Sequence, residues 1–321
     1  MTGTPFNIEG KSVWVAGHRG LVGSAVVRRL EREPIGELIV AGSDVVDLRR
    51  QDETEIFVES TKPDVLLLAA AKAGGIHANR TAQGQFLYEN LIIAANCLEA
   101  ARRSGVEKTV ILGSSCIYPR ESPQPMREEY LLTGPLEPTN EGYAIAKIAA
   151  LELGKMYQRQ YGMQAISLMP TNLYGPNDNF DLETSHVLPA LMRKVHEAKQ
   201  RGDDHVEVWG TGAPKREFLH VDDLADATIF SLVNYSGEQH LNVGTGKDIS
   251  IRELCELIAD VVGWEGELMF DTNMPDGTPR KLLDTSRIRE LGWSPSISLR
   301  EGIERTYEWF LSASQTALIS D

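Results

Sequence analysis

A chain of 321 residues with 42% hydrophobic and 24% charged side chains has the makeup of a globular protein with a sizeable core and length for about two domains. Its net charge of −14 argues against nucleic acid or an anionic membrane as a partner, so an anionic substrate would need a local basic pocket. Apolar runs such as 65–71 are too short to span a bilayer, and three cysteines without C-x-x-C spacing argue against a disulfide or structural-zinc framework.

In chain order, Ser12-Val13-Trp14-Val15-Ala16 reads as a short buried strand. Gly17-His18-Arg19-Gly20-Leu21-Val22-Gly23 follows as a glycine turn, and 24–33 as a helix carrying Ala25, Val26, Val27 and Leu30. Strand, glycine turn and helix in that order are the context a dinucleotide fingerprint requires. The glycines let backbone approach a pyrophosphate, and the helix N-terminus offers free N–H groups and a positive dipole end. The spacing is G-x-x-G-x-x-G rather than G-x-G-x-x-G, which an ordinary glycine-rich turn would also satisfy.

Further strands are expected over 37–41, 64–70, 108–112 and 165–169, with helices over 86–103 and 143–160. Gly105 and Gly162 suit left-handed caps for those helices. Apolar strands alternating with helices imply an α/β protein with a doubly wound parallel sheet of the Rossmann kind. Ligands in such sheets bind beyond the carboxyl ends of the strands. Gly17, Ala69-Ala70-Ala71, Ser114-Ser115-Cys116 and Pro170-Thr171-Asn172-Leu173 all lie there, so the cofactor is expected against residues 17–23, Ala69, Ala70, Ala71, Pro170, Asn172 and Leu173.

Tyr143 and Lys147 stand one helical turn apart, downstream of Ser114. A free tyrosine titrates near ~10, and an ammonium at i+4 is expected to lower that value. With the Ser114 hydroxyl on the same oxygen, the three groups can pass a proton to a ketone, which is half of a hydride transfer. The spacing alone also fits a solvated pair on any amphipathic helix.

Past residue 175 the rhythm changes. A loop runs to Ser185, followed by helices over 187–201, 222–233 and 251–262. Short strands are expected over 206–209 and 268–270, with 240–243 returning to the main sheet. The division expected is a nucleotide-binding domain over 1–175, with return segments near 218–245, and a smaller mixed α/β substrate-binding lobe over 176–321. Cys97 and Cys255 read as core residues, and the seven histidines show no metal-ligand spacing, so no metal is expected. The opening residues carry no export signal, and the expected setting is the cytoplasm.

The runs Gly17-His18-Arg19-Gly20, Gly113-Ser114-Ser115-Cys116-Ile117-Tyr118-Pro119, Pro170-Thr171-Asn172-Leu173-Tyr174-Gly175-Pro176-Asn177-Asp178-Asn179-Phe180 and Ser185-His186-Val187 resemble the extended short-chain dehydrogenase/reductase family that works on nucleotide sugars. Arg216-Glu217-Phe218-Leu219-His220 and Pro275-Asp276-Gly277-Thr278-Pro279-Arg280-Lys281 agree, so the resemblance covers nearly the whole chain. It implies a homodimer, through helices 86–103 and 143–160, that epimerises carbons 3 and 5 of a GDP-linked 4-keto-6-deoxy sugar and reduces carbon 4 with NADPH. Cys116 and His186 take the acid/base roles in the epimerisation, with Tyr143, Lys147 and Ser114 serving the reduction. His186 is also expected near the cofactor, and Lys147 on the nicotinamide ribose.

From composition alone Cys116 also reads as a buried strand-end thiol, His186 as a helix-start residue and Asp276 as a turn aspartate. Arg216, Lys194 and Lys281 are the cations offered to the diphosphate, arginine in bidentate fashion. Asn172, Val187, Trp209 and Asp276 are the other substrate candidates. After the second strand the chain reads Ala41-Gly42-Ser43-Asp44, without an arginine for a 2′-phosphate and without an acid directly at the strand end. Arg19 therefore carries the expectation of NADP. A 4-epimerase of the same family would not need the Cys116–His186 pair, a 4,6-dehydratase would more often carry an acidic residue where this chain has Cys116, and a non-enzymatic NADP sensor would have no use for a proton relay.

Overall fold

The computed structural model describes residues 5–274 and 276–319, so Pro275 of the Pro-Asp-Gly run lies outside the described residues. The first half alternates strand and helix: β1 (Ser12–Ala16), α1 (Leu21–Leu30), β2 (Glu37–Ile39), α2 (Gln51–Thr61), β3 (Val65–Leu68), α3 (Ile76–Thr81), α4 (Gln83–Ser104), β4 (Lys108–Leu112), α5 (Glu141–Tyr161) and β5 (Gln164–Pro170). The second half is more broken: β6 (Asn172–Tyr174), α6 (Val187–Arg201), β7 (His205–Trp209), β8 (Lys215–His220), α7 (Val221–Asn234) and β9 (Leu241–Val243). It closes with β10 (Asp248–Ser250), α8 (Ile251–Val262), β11 (Glu267–Asp271), β12 (Arg280–Lys281), α9 (Ser286–Glu290) and α10 (Leu299–Ile319).

Six strands form one parallel sheet in the order β2-β1-β3-β4-β5-β9. Both faces are covered, which is why β3 and β4 are buried at every position. One face packs Val13, Val15, Val65, Leu67 and Val110 against α1 and α7, and the other packs Trp14, Leu66 and Ile111 against α4 and α5. The strand order turns about β1, so the crevice between the ends of β1 and β3 is the natural ligand site. A separate core joins α6, β7 and α8 through Leu191, Val195, Val206, Leu254 and Ile258. Among the described residues no helix is long and apolar enough to cross a membrane.

Local chemistry accounts for the helix ends. α4 and α5 stop at Gly105 and Gly162, with φ of +73° and +72°, and α8 opens on a reciprocal bond pair between Ser250 and Glu253. Other bounds differ from the sequence reading. α1 begins at Leu21 rather than residue 24, because Gly20 passes straight from the turn into the helix without a side-chain cap. β2 stops at Ile39, and 40–41 leave the sheet. Helices α2, α3, α9 and α10 and strands β6, β8, β10 and β12 were not evident from the pattern; α2, for one, buries only Thr54 and Val58.

The first turn depends on bare backbone. Gly17 has φ of +87°, and a Cβ there would fall 2.6 Å from the Ala70 nitrogen; one on Gly23 would fall 2.0 Å from the Gly17 oxygen. A Gly17→Ala variant is expected to lose roughly 1–3 kcal/mol of stability from backbone strain and collision. Urea unfolding measures it, and a midpoint equal to the parent's would show that β1 and β3 can part without cost.

Candidate active site

The turn after β1 has the shape a dinucleotide diphosphate needs. Gly17 lies against the start of the Ala69–Ala71 segment, whose Ala69 N–H donates to the Ala16 carbonyl at 3.0 Å. At the start of α1 no side chain caps the free N–H groups, and Gly20, Leu21 and Val22 are open or half-open to solvent. The His18 Nδ1 is buried without a partner, a polar atom left for a ligand group to satisfy. These features fit the expected cofactor against Gly17, His18, Arg19, Gly20, Leu21, Val22 and Gly23.

Arg19 is not free. Its Nη1 lies 2.9 Å from the Asp44 Oδ1, both side chains being exposed. The acid that the sequence reading did not find directly at the end of β2 thus folds back onto the glycine turn from five residues further on.

At the end of β4, Gly113 leaves room for the Met169 side chain, since a Cβ would fall 2.2 Å from its sulfur. The chain then makes a single 3-10 turn over Ser115–Ile117, and the Ser114 Oγ accepts the Cys116 N–H at 3.4 Å. Above it, Tyr143 and Lys147 project from α5. The Lys147 Nζ donates to the Leu112 carbonyl at 2.8 Å and lies 5.6 Å from the centre of the Tyr143 ring. The ring of the buried Phe86 stands nearly perpendicular to the Tyr143 ring, their centres 6.3 Å apart.

The electrostatics correct one expectation. Burial, with the Cys116 thiolate as a further cause, pushes the Tyr143 phenol up rather than down. The Lys147 ammonium is committed to a carbonyl, and its own burial lowers it to about 8, so it stays largely protonated at pH 7. Cys116 is 6% exposed, and burial raises its thiol while Lys281, the Ser114 hydroxyl and Lys147 pull it back. His186 stands at the N-cap of α6, with exposed surface but enclosed enough that burial lowers its pKa. The segment before it is pinned to the loop after β3, where the Gly75 N–H donates to the Thr184 carbonyl at 2.8 Å.

Arg216 on β8 and Lys281 on β12 are neighbours in register. Burial lowers both, and Arg216 further lowers Lys281. The other proposed cation, Lys194, sits 5.7 Å over the 60%-exposed ring of Trp209. Asp276 accepts the Thr211 N–H at 2.7 Å and its hydroxyl at 2.8 Å, so both of its oxygens hold a turn, as the plainer reading has it. Asn172 spends its amide N–H on the Glu217 carbonyl at 2.8 Å, and Val187 is exposed beside His186.

Two supporting residues were missed. Asn90 on α4 accepts the Lys72 N–H at 2.8 Å and donates to the Lys72 carbonyl at 3.0 Å, which fixes the chain leaving Ala71. No sequence signal sets it apart from Asn96 on the same helix. Glu217 is fully buried and accepts the Gly246 N–H at 2.6 Å and the Leu283 N–H at 2.9 Å, joining β8 to the chain on either side. Among the described residues no cluster of three His, Cys, Asp or Glu could hold a metal ion.

Residues 13–244 match the pattern of the NAD dependent epimerase/dehydratase family. The chain is 56% identical over 299 residues to GDP-L-fucose synthase 1 of Arabidopsis thaliana, covering 93% of each chain. It is 51% identical over 308 residues to the GDP-L-fucose synthase of Escherichia coli K12, covering 93% of this chain and 96% of the relative. The crystal structure of a GDP-L-fucose synthetase from Naegleria fowleri bound to NADP superposes with a TM-score of 0.90 at 30% identity, covering 98% of this chain and 99% of that one.

The cations around Cys116 have a measurable consequence. Lys281→Met should shift alkylation of Cys116 by iodoacetamide to higher pH, because the leading opposing charge is gone. Burial holds Cys97 and Cys255 at about 12, so neither should react in the same range. A labelling profile identical to the parent's would show that Lys281 does not act on the thiol.

Proposed function

Because the chain belongs to the NAD dependent epimerase/dehydratase family, among its GDP-L-fucose synthases, we propose that this cleft makes GDP-L-fucose from GDP-4-keto-6-deoxy-D-mannose. The reaction is a 3,5-epimerisation followed by reduction of the 4-ketone. The observation that carries this reading is Cys116 on the same strand-end turn as Ser114, beneath Tyr143 and Lys147.

A proton beside a ketone is removable because the charge of the resulting enolate rests on oxygen. Ser114 and Tyr143 are the donors for that oxyanion. Inversion requires one group to remove the proton from a face of the sugar and another to return it to the opposite face. Cys116 and His186, carried on different elements, take those parts, and Lys281 and Lys147 favour the thiolate when Cys116 releases its proton. NADPH, when bound in the cradle of residues 17–23, supplies the hydride for carbon 4. Tyr143 then protonates the oxygen. The raised phenol suits an acid, and Lys147 keeps a positive charge beside it that favours its phenolate afterwards. Arg216 and Lys281, side by side and short of counter-charge, are the natural grip for the GDP diphosphate.

Assembly and setting belong to the same proposal. Tyr88 and Leu91 on α4 and Ile145 and Met156 on α5 are apolar yet 38–62% exposed, and a second copy of the chain would cover them in a homodimer. Three free cysteines fit a reducing cytoplasm.

Two variants separate the chemistries in deuterated water. Tyr143→Phe should lose about 10²–10⁴-fold in NADPH oxidation while still binding the cofactor. Cys116→Ser should nearly stop deuterium entry at carbons 3 and 5, read by NMR, yet still reduce the unepimerised ketone slowly. Parent-rate exchange in Cys116→Ser would reduce that residue to a core thiol. For the assembly, Tyr88→Glu should convert a dimer to monomer in sedimentation at micromolar concentration; an unchanged mass would move the interface elsewhere.

A further inference from the structure

A dinucleotide site of this architecture distinguishes its cofactors at the adenosine ribose. An acidic residue about 20 positions beyond the glycine turn takes the 2′-hydroxyl of NAD, whereas an arginine takes the 2′-phosphate of NADP. This chain carries both. Arg19 stands in the turn, Asp44 follows Gly23 at about that spacing, and the two are joined at 2.9 Å.

The pair is built rather than incidental to a flexible surface. It lies flat on Gly42, where a Cβ would fall 2.2 Å from the Asp44 Oδ1 and 2.6 Å from the Arg19 Cζ. The Val45 and Val46 N–H groups both return to the Gly42 carbonyl, at 2.9 and 3.0 Å, which closes a tight turn under Asp44. Asp44 is held below the usual carboxylate range first by its own backbone N–H and then by Arg19. The carboxylate is therefore the fixed half of the pair, and the long arginine side chain is the half that can move.

We propose that Asp44 is the residue that limits cofactor selectivity, by occupying Arg19 where the 2′-phosphate would bind and by offering an acceptor to the 2′-hydroxyl of NAD. The inference rests on the NADP reading of the glycine turn and deepens it. A phosphate must displace one carboxylate oxygen from the guanidinium and then remain close to that uncompensated charge. The ribose of NAD meets no such competition. Ser43, exposed and uncharged beside Asp44, supplies no second cation to offset the carboxylate.

The test is calorimetric binding of NADP⁺ and NAD⁺ to the full chain at low ionic strength, in the parent, Asp44→Asn, Arg19→Gln and the double variant. Asp44→Asn is expected to tighten NADP⁺ by roughly fivefold, the upper range for an exposed ion pair, and to weaken NAD⁺. In the Arg19→Gln background the same change should lose most of its effect on NADP⁺, because the two residues act as one unit. At high salt the gain should shrink. A ratio of the two dissociation constants that stays within about twofold of the parent's at the resolution of a surface pair would overturn the proposal. So would weaker NADP⁺ binding, which would mean that Asp44 holds Arg19 ready for the phosphate. The NADP reading has its own check in the same data: it fails if the parent prefers NAD⁺, or if Arg19→Gln leaves NADP⁺ affinity unchanged.

Discussion

The bond from the buried Lys147 ammonium to the Leu112 carbonyl is the contact on which the geometry of the cleft depends. It ties the middle of α5 to the last residue of β4, immediately before the chain turns through Ser114 to Cys116. A buried ammonium without such a partner would shed its proton or leave the interior. With it, Lys147 holds α5 against the end of β4, and Tyr143, one turn earlier, comes close enough to Cys116 for its charge to act on the phenol. The packing of α4 against α5, with Asn90 and Phe86 on the near side, supports the same placement.

Around that contact the charges are left unbalanced. Lys147, Lys281 and Arg216 are all lowered by burial, while Cys116 and Tyr143 are both raised. Desolvation is the first cause in every case, so each charged form is less stable there than in water until an opposite charge arrives. A chain with a net charge of −14 thus concentrates positive charge in one cleft, as a nucleotide diphosphate requires. The same imbalance would favour a thiolate at Cys116, since Lys281 and Lys147 both act to lower its pKa.

The glycine turn works by a different constraint, the absence of side chains. Gly17 and Gly23 allow β1, α1 and the chain after β3 to meet at backbone distance, and Gly42 does the same for the Arg19–Asp44 pair. Backbone approach shapes the turn, whereas the proposed choice between riboses rests on a charged pair. Shape and charge are in this way assigned to separate residues.

Much of this was legible in the sequence because it is local. The spacing of Tyr143 and Lys147, the turn 17–23 and the exact extents of β1, β4, α6 and α8 follow from periodicity, caps and glycines within a few residues. The missed elements were legible only through contacts: α2 is mostly polar on its surface, β6 and β12 are too short to show a period, and β8 buries Glu217 and His220 on either side of Phe218 and Leu219. Partner choice was not local at all. The sequence offered Lys147 to Tyr143, Arg19 to a phosphate and Asp276 to the substrate, but folding gave them Leu112, Asp44 and Thr211. Sequence by itself determined which chemical groups this protein possesses and roughly where along the sheet they stand. Tertiary structure decided which of them are desolvated and which charges they meet, because burial and distance are set by packing between segments far apart in the chain.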